Sequence, residues 1–223
     1  MNLKLNLYKL ICSLAVLLLL SLFITCGGNS GLNTNGEQKK LTADQYLSNG
    51  IKSYDNGNYE LALTLFKEAE KKKSGEAAYK ISEMYEYGKG VKKDKNKKIK
   101  WLKKAAKLKY PDAIFDLGFE YYSGDNISKS YKKAVNLWRE GAELGHLDSQ
   151  YYLAYKLHEI VLRGYNSLSS EKIRSLLEEA DKWFTILADK NYKSSKEQLA
   201  LLKITKYKFK EVFMIKPPSG SGY

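Results

Sequence analysis

Residues 77–94, AAYKISEMYEYGKGVKKD, and residues 113–130, AIFDLGFEYYSGDNISKS, stand 36 positions apart and repeat one pattern. Ala77, Ile81, Ser82, Tyr85 and Gly88 of the first fall in register with Ala113, Leu117, Gly118, Tyr121 and Gly124 of the second. Apolar and small residues three or four apart form one stripe of an amphipathic helix. A glycine just past the last of them suits a left-handed helix exit. Self-similarity at such a period marks stacked supersecondary units, each unable to bury its apolar face alone.

The register extends outward without a gap from Leu65 to Ala154. Leu65, Trp101 and Leu137 match, then Phe66, Leu102 and Trp138, then Ala69, Ala105 and Gly141. Another copy continues through Trp183, Phe184, Leu187, Ala188 and Leu199, after 10 inserted residues between Ile160 and Trp183. Each period therefore reads as two antiparallel helices, and the fold as all-α. The small residues at 82, 118 and 154 are expected to bring the first helix close to the small residues at 105, 142 and 188 of the second. A helical glycine costs about 1 kcal/mol against alanine, so Gly118 needs such a packing reason. Trp101, Trp138 and Trp183 are each expected to bury a large surface.

The run Ala77-x-x-x-Ile81-Ser82-x-x-Tyr85-x-x-Gly88-x-Gly90-Val91-x-x-Asp94, with Trp101 and Ala105-Ala106, resembles a Sel1-like repeat. Ala113-x-x-x-Leu117-Gly118-x-x-Tyr121-x-x-Gly124, then Lys133-Ala134, Gly141-Ala142 and Gly145-His146, is similar. Tyr46-x-x-x-Gly50-x-x-x-Tyr54-x-x-Gly57-x-Tyr59-x-x-Ala62-x-x-x-Phe66-x-x-Ala69 resembles the sister family, the tetratricopeptide repeat. The resemblance implies a right-handed α–α superhelix, a short solenoid of helical hairpins, serving as a scaffold for protein–protein contact. A cysteine-rich branch of Sel1-like proteins has been linked to β-lactam binding. This body lacks those cysteines, and that activity is not carried over.

The resulting organisation is a signal peptide at 1–25, a lipidated cysteine and flexible tether at 26–42, and a tetratricopeptide-like hairpin at 43–76. Sel1-like copies follow at 77–112 and 113–148, then a degenerate copy with a longer second helix at 149–193. A capping helix at 194–213 and a disordered tail at 214–223 complete it. The last helix runs from Ser194 to about Lys206, although residues 204–215 also alternate in the manner of a strand.

Cys12 and Cys26 are the only cysteines, so the body gains nothing from disulfides and holds no catalytic thiol. Met1–Lys9 carries Lys4 and Lys9 without an acid, and Leu10–Ile24 is a short apolar run. That run is brief for a membrane span and right for a signal-peptide core. Leu22-Phe23-Ile24-Thr25-Cys26-Gly27 follows it and resembles the lipobox of bacterial lipoproteins. The resemblance implies a chain exported and held by acyl groups on Cys26 at a bacterial membrane; an uncleaved N-terminal anchor is the other reading. Residues 27–42, rich in Gly and Asn, read as a tether with a reach of roughly 20 Å.

The net charge of +13 rests on 38 basic residues, of which only Arg139, Arg163 and Arg174 are arginine. Lysine is a hydrated point charge and arginine the better bidentate phosphate ligand, which argues against nucleic acid as a partner. Lys89–Lys109 holds 11 lysines and a single acid, Asp94. It reads either as the solvated outer face of a helix or as a surface for anionic lipid or an anionic envelope polymer. Tyr79, Tyr87, Tyr122, Tyr151, Tyr152 and Tyr155 lie off the core register of the first helices. They are candidate contacts for a protein or peptide partner, or half-buried packing between repeats. His146 falls in a turn between repeats, and His158 reads as a satisfied surface histidine. No nucleophile–base grouping, paired carboxylates or metal-ligand spacing stands out, so no cofactor, metal or catalytic residue is assigned.

Overall fold

The computed structural model describes residues 41–209. The expectations for the leader, Cys26, the tether and the tail lie outside those residues. The helices are α1 (Ala43–Asp55), α2 (Tyr59–Lys71), α3 (Gly75–Tyr87), α4 (Lys95–Lys107) and α5 (Pro111–Ser123). They continue as α6 (Tyr131–Glu143), α7 (Leu147–Gly164), α8 (Ser170–Asp189) and α9 (Ser195–Lys208). Hairpins α1–α2, α3–α4, α5–α6 and α7–α8 stack in chain order, and α9 packs on α8 and α7. This is the all-α superhelix of hairpins that the period predicts. Among the described residues there is no strand, and 204–208 is helical.

Local chemistry sets the helix ends. Thr42 and Gln45 form a reciprocal capping box before α1. The side chains of Ser74, Asp94, Ser130 and Ser169 accept from the backbone N–H three residues on. Each such cap stabilises its helix by about 1 kcal/mol. Gly88 (φ 72°) and Gly124 (φ 80°) close α3 and α5 in the left-handed region, where only glycine is free of Cβ strain. The second helices leave through Lys73 (φ 68°) and Lys109 (φ 62°), one period apart and in the same left-handed region. The cost of about 1–2 kcal/mol each is offset locally: Ser74 N–H donates to Ala69 O (3.1 Å) and Tyr110 N–H to Ala105 O (3.2 Å).

The core corrects the expected pairing of small residue with small residue. Gly118 faces the indole of Trp138, where a Cβ would fall 2.7 Å from Cδ1. Gly50 faces Phe66 in the same way, at 2.6 Å. Phe66, Leu102, Trp138 and Phe184, which share one register position, are all buried. The first helix is thus small where the second is largest, which fills space without a void. Gly141 in turn admits Ser149 of the next hairpin, 2.9 Å from where its Cβ would be.

Trp138 and Trp183 are buried as expected. Trp101 is not: it is half-buried, with the Lys104 ammonium 4.8 Å from its ring centroid. The indole packs against the cores of two successive hairpins, and the Lys104 side chain lies over its ring.

Charged ties join successive hairpins. Lys98 reaches both Glu86 (2.7 Å) and the buried Glu120 (2.8 Å), to which Asn126 also donates. Arg139 holds Glu179 through two nitrogens, at 2.7 and 3.0 Å. The ten-residue insertion is taken up in helix: α7 has 18 residues and α8 has 20, where α5 and α6 have 13 each.

Candidate functional site

The lengthening of α7 has an identifiable local cause. Register with Gly88 and Gly124 places Ile160 where the exit glycine would stand. Without a residue suited to the left-handed cap, the helix continues to Gly164 and ends in a single 3₁₀ turn, Tyr165–Ser167. The added turn faces α5 and α6 across a groove of about 380 Å³. Tyr122, Tyr131, Val135 and Trp138 form one wall; Ile160, Arg163 and Gly164 belong to the other. Tyr131 and Ile160 are 57% and 39% exposed, so the groove offers apolar surface to solvent without help from a bound group.

Its rim is charged. Glu159 accepts from Lys156 (2.7 Å) and pairs with Arg163 (2.8 Å). The hydrogen bond from Lys156 holds the Glu159 carboxyl below its usual range. Lys156 also donates to Tyr122 Oη (2.7 Å), and Lys129 lies 5.0 Å above the Tyr131 ring. Two further features favour an apolar partner segment over a small metabolite. A second groove of about 500 Å³ runs on the other side of α7, between it and α9, and shares Glu159 and Arg163. It displays Leu162, Leu201 and Ile204, each half or more exposed. Both grooves are open to solvent, and apolar side chains line each of them.

The six tyrosines separate by place. Tyr79 Oη donates to Asp116 Oδ2 (2.8 Å) across a hairpin boundary. Burial raises the Asp116 carboxyl, and burial together with that carboxylate raises the Tyr79 hydroxyl. Tyr151 meets Ser194 Oγ (2.9 Å), and Tyr152 packs on Phe115, Phe119 and Trp138. Tyr122 lines the first groove and Tyr155 the second. Tyr87 is 56% exposed at the end of α3, away from both. Tyr131, Ile160 and Leu162 belong to no motif that marks them as site residues in the sequence. The signal was an isoleucine in a glycine's register position.

His146 lies in the turn between repeats, as its register predicts, and only His158 departs from expectation. His146 is the N-cap of α7: Nδ1 accepts from Ser149 N–H (3.2 Å), and Nε2 meets Asp112 Oδ1 (3.1 Å). His158 is buried rather than on the surface, with Nε2 2.8 Å from Thr205 Oγ1 of α9. The Thr205 hydroxyl also reaches Leu201 O (3.1 Å). Burial lowers the imidazole below its ordinary 6.5. The unfolded chain therefore binds the proton more tightly. Stability from neutral His158 is complete above 6.5 and is lost as pH falls from there toward the depressed folded value. Thermal unfolding from about pH 8 to about pH 5.5 is expected to show this loss in the wild type and a smaller one in His158→Gln.

Among the described residues no three His, Cys, Asp or Glu side chains are placed to hold a metal ion. No described helix is long and apolar enough to cross a membrane.

The family model of the Sel1 repeat matches residues 75–110 and 111–146. The chain carries two Sel1 repeats. Each match begins on the first residue of a helix, Gly75 of α3 and Pro111 of α5, two residues ahead of the boundaries expected from sequence. Hairpins α1–α2 and α7–α8 flank the matched Sel1 repeats, and the groove lies where the second of them meets α7. A Sel1 repeat protein of Oxalobacter formigenes is similar in structure over 70% of this chain and 59% of its own, at 29% identity and a TM-score of 0.55. A protective antigen of uropathogenic Escherichia coli with an SLR fold is similar over 74% of this chain and 34% of its own, at 22% identity and a TM-score of 0.56. The second likeness bears on the fold alone. The chain thus spans less than two thirds of either structure. Among curated proteins none matches. Sel1-repeat proteins generally act as scaffolds for protein–protein interaction.

Proposed function

We propose that this chain is a lipid-anchored adaptor at the bacterial cell envelope that grips an apolar segment of a partner protein beside α7. The observation that carries the reading is Ile160 in place of the exit glycine, which extends α7 and opens an aromatic groove next to a matched Sel1 repeat. Tyr131 and Ile160 offer apolar anchors on opposite walls. Lys129, Lys156 and Arg163 outnumber Glu159 at the rim and orient a segment that carries an acid beside its apolar residues. The lipobox-like sequence ending in Cys26 supports anchorage, and two or more acyl chains hold a protein stably.

The test places a photocrosslinking phenylalanine analogue at Tyr131 of the full chain in the producing cells, fed with a palmitate analogue. A discrete protein adduct is expected, reduced about tenfold by Ile160→Glu as an apolar anchor is lost. Palmitate label is expected on the wild type and absent from Cys26→Ala. An adduct indifferent to Ile160→Glu overturns the groove, and equal labelling of wild type and Cys26→Ala overturns the anchor.

A further inference from the structure

We infer that the outward face of α4 is a docking surface for a bilayer rich in anionic lipid. Of the 11 lysines in Lys89–Lys109, four have carboxylate partners: Lys97 with Asp94, Lys98 with Glu86 and Glu120, Lys104 with Glu70, and Lys109 with Glu140. Lys89 sits over the Tyr59 ring. Lys92, Lys93, Lys95, Lys100, Lys103 and Lys107 are exposed, with no carboxylate in ion-pair reach among the described residues. Lys100, Lys103 and Lys107 follow the i, i+3, i+7 spacing, so they form one stripe about 10 Å long. The buried residues of the helix, Ile99, Leu102, Ala105 and Ala106, lie on its opposite side.

The repeat itself does not demand this stripe. The same positions hold Thr64, Lys67 and Lys71 in α2, where Glu68 pairs with Lys71. They hold Asn136, Arg139 and Glu143 in α6, where Glu179 neutralises Arg139. Of these three second helices, only α4 carries lysine at all three positions with no carboxylate partner. A helix face has no concavity to cradle a single anion, and ammonium groups remain hydrated, so the fitting partner is an extended, laterally mobile polyanionic surface. The choice of lipid over other polyanions rests on the proposed anchor at Cys26, which would hold this body within a tether's length of a bilayer.

The test is sedimentation of the full chain with phosphatidylcholine vesicles, alone or with about 30% phosphatidylglycerol, at low and high salt. The neutral vesicles measure binding by the leader. Stronger binding to the anionic vesicles is expected, lost at high salt and reduced about 100-fold in Lys100→Gln/Lys103→Gln/Lys107→Gln, at about fivefold per lysine. A control variant, Lys67→Gln/Lys132→Gln/Lys172→Gln, removes three exposed lysines elsewhere and is expected to keep most of the preference. Equal binding to both vesicles overturns the inference. So does an equal loss in the two variants, which would reduce the effect to net charge, or retention by an acidic polymer with no preference among the vesicles.

Discussion

Trp138→Ala is expected to lower the unfolding free energy by about 3–5 kcal/mol. The indole is wholly buried, and its Nε1–H donates to Phe115 O (3.2 Å). Phe119, Tyr122 and Tyr152 surround it at centroid distances of 5.2, 5.7 and 6.0 Å. Truncation would leave a cavity that three rigid rings cannot close, and would strip a partner from a half-buried carbonyl. It would also remove part of one wall of the groove. Trp101→Ala is the control, since Trp101 is half-buried and leans on a lysine stem. Its expected cost is about 1–2 kcal/mol, near the middle of the range for single substitutions. Urea unfolding followed by far-UV circular dichroism decides it; equal costs at 101 and 138 would contradict the core described above.

Gly118 and Trp138 are expected to be strongly coupled. Gly118→Ser puts a Cβ within 2.7 Å of a buried, rigid ring, an overpacking that costs about 1–3 kcal/mol. Trp138→Leu alone leaves a void costing about 2–4 kcal/mol. The double variant reproduces the combination the chain already uses one period earlier, Ser82 with the buried Leu102. Serine then occupies part of the space that leucine vacates, and the two costs should fall short of their sum by about 1–3 kcal/mol. A double-mutant cycle read by chemical unfolding gives this directly. Additive costs would mean that glycine is present for some reason other than the indole.

Much of this was legible before any coordinates. Leu65 through Ala154 align on one another without a gap, and helical spacing and the exit glycines Gly88 and Gly124 agree with that register. Period and apolar pattern together leave one economical solution, paired helices stacked so that each covers its neighbour's apolar stripe. Which small residue meets which large one was not legible. The register shows Ala105, Ala142 and Ala188 as plainly as it shows Leu102, Trp138 and Phe184, and only the helix crossing chooses between them.

The candidate site lay further from view. The off-register tyrosines have unlike surroundings that their spacing does not reveal: Tyr79 is consumed by Asp116, while Tyr122 opens onto a groove. His158 looked like a surface residue because Glu159 follows it, yet α9 returns from 47 residues away to cover it with Thr205. Lys98 looked like one of many solvated lysines and instead ties two hairpins together.

By itself the sequence determined the all-α repeat, its 36-residue phase, the glycine exits of α3 and α5 and the lysine excess of α4, because these depend on neighbours within a few turns of one helix or one period away. The tertiary structure alone decided which lysines keep their charge free, which tyrosines face solvent, and that an isoleucine at position 160 makes a groove. Those properties arise where separate hairpins meet, and side-chain burial there is set by distances between chain segments that no local pattern encodes.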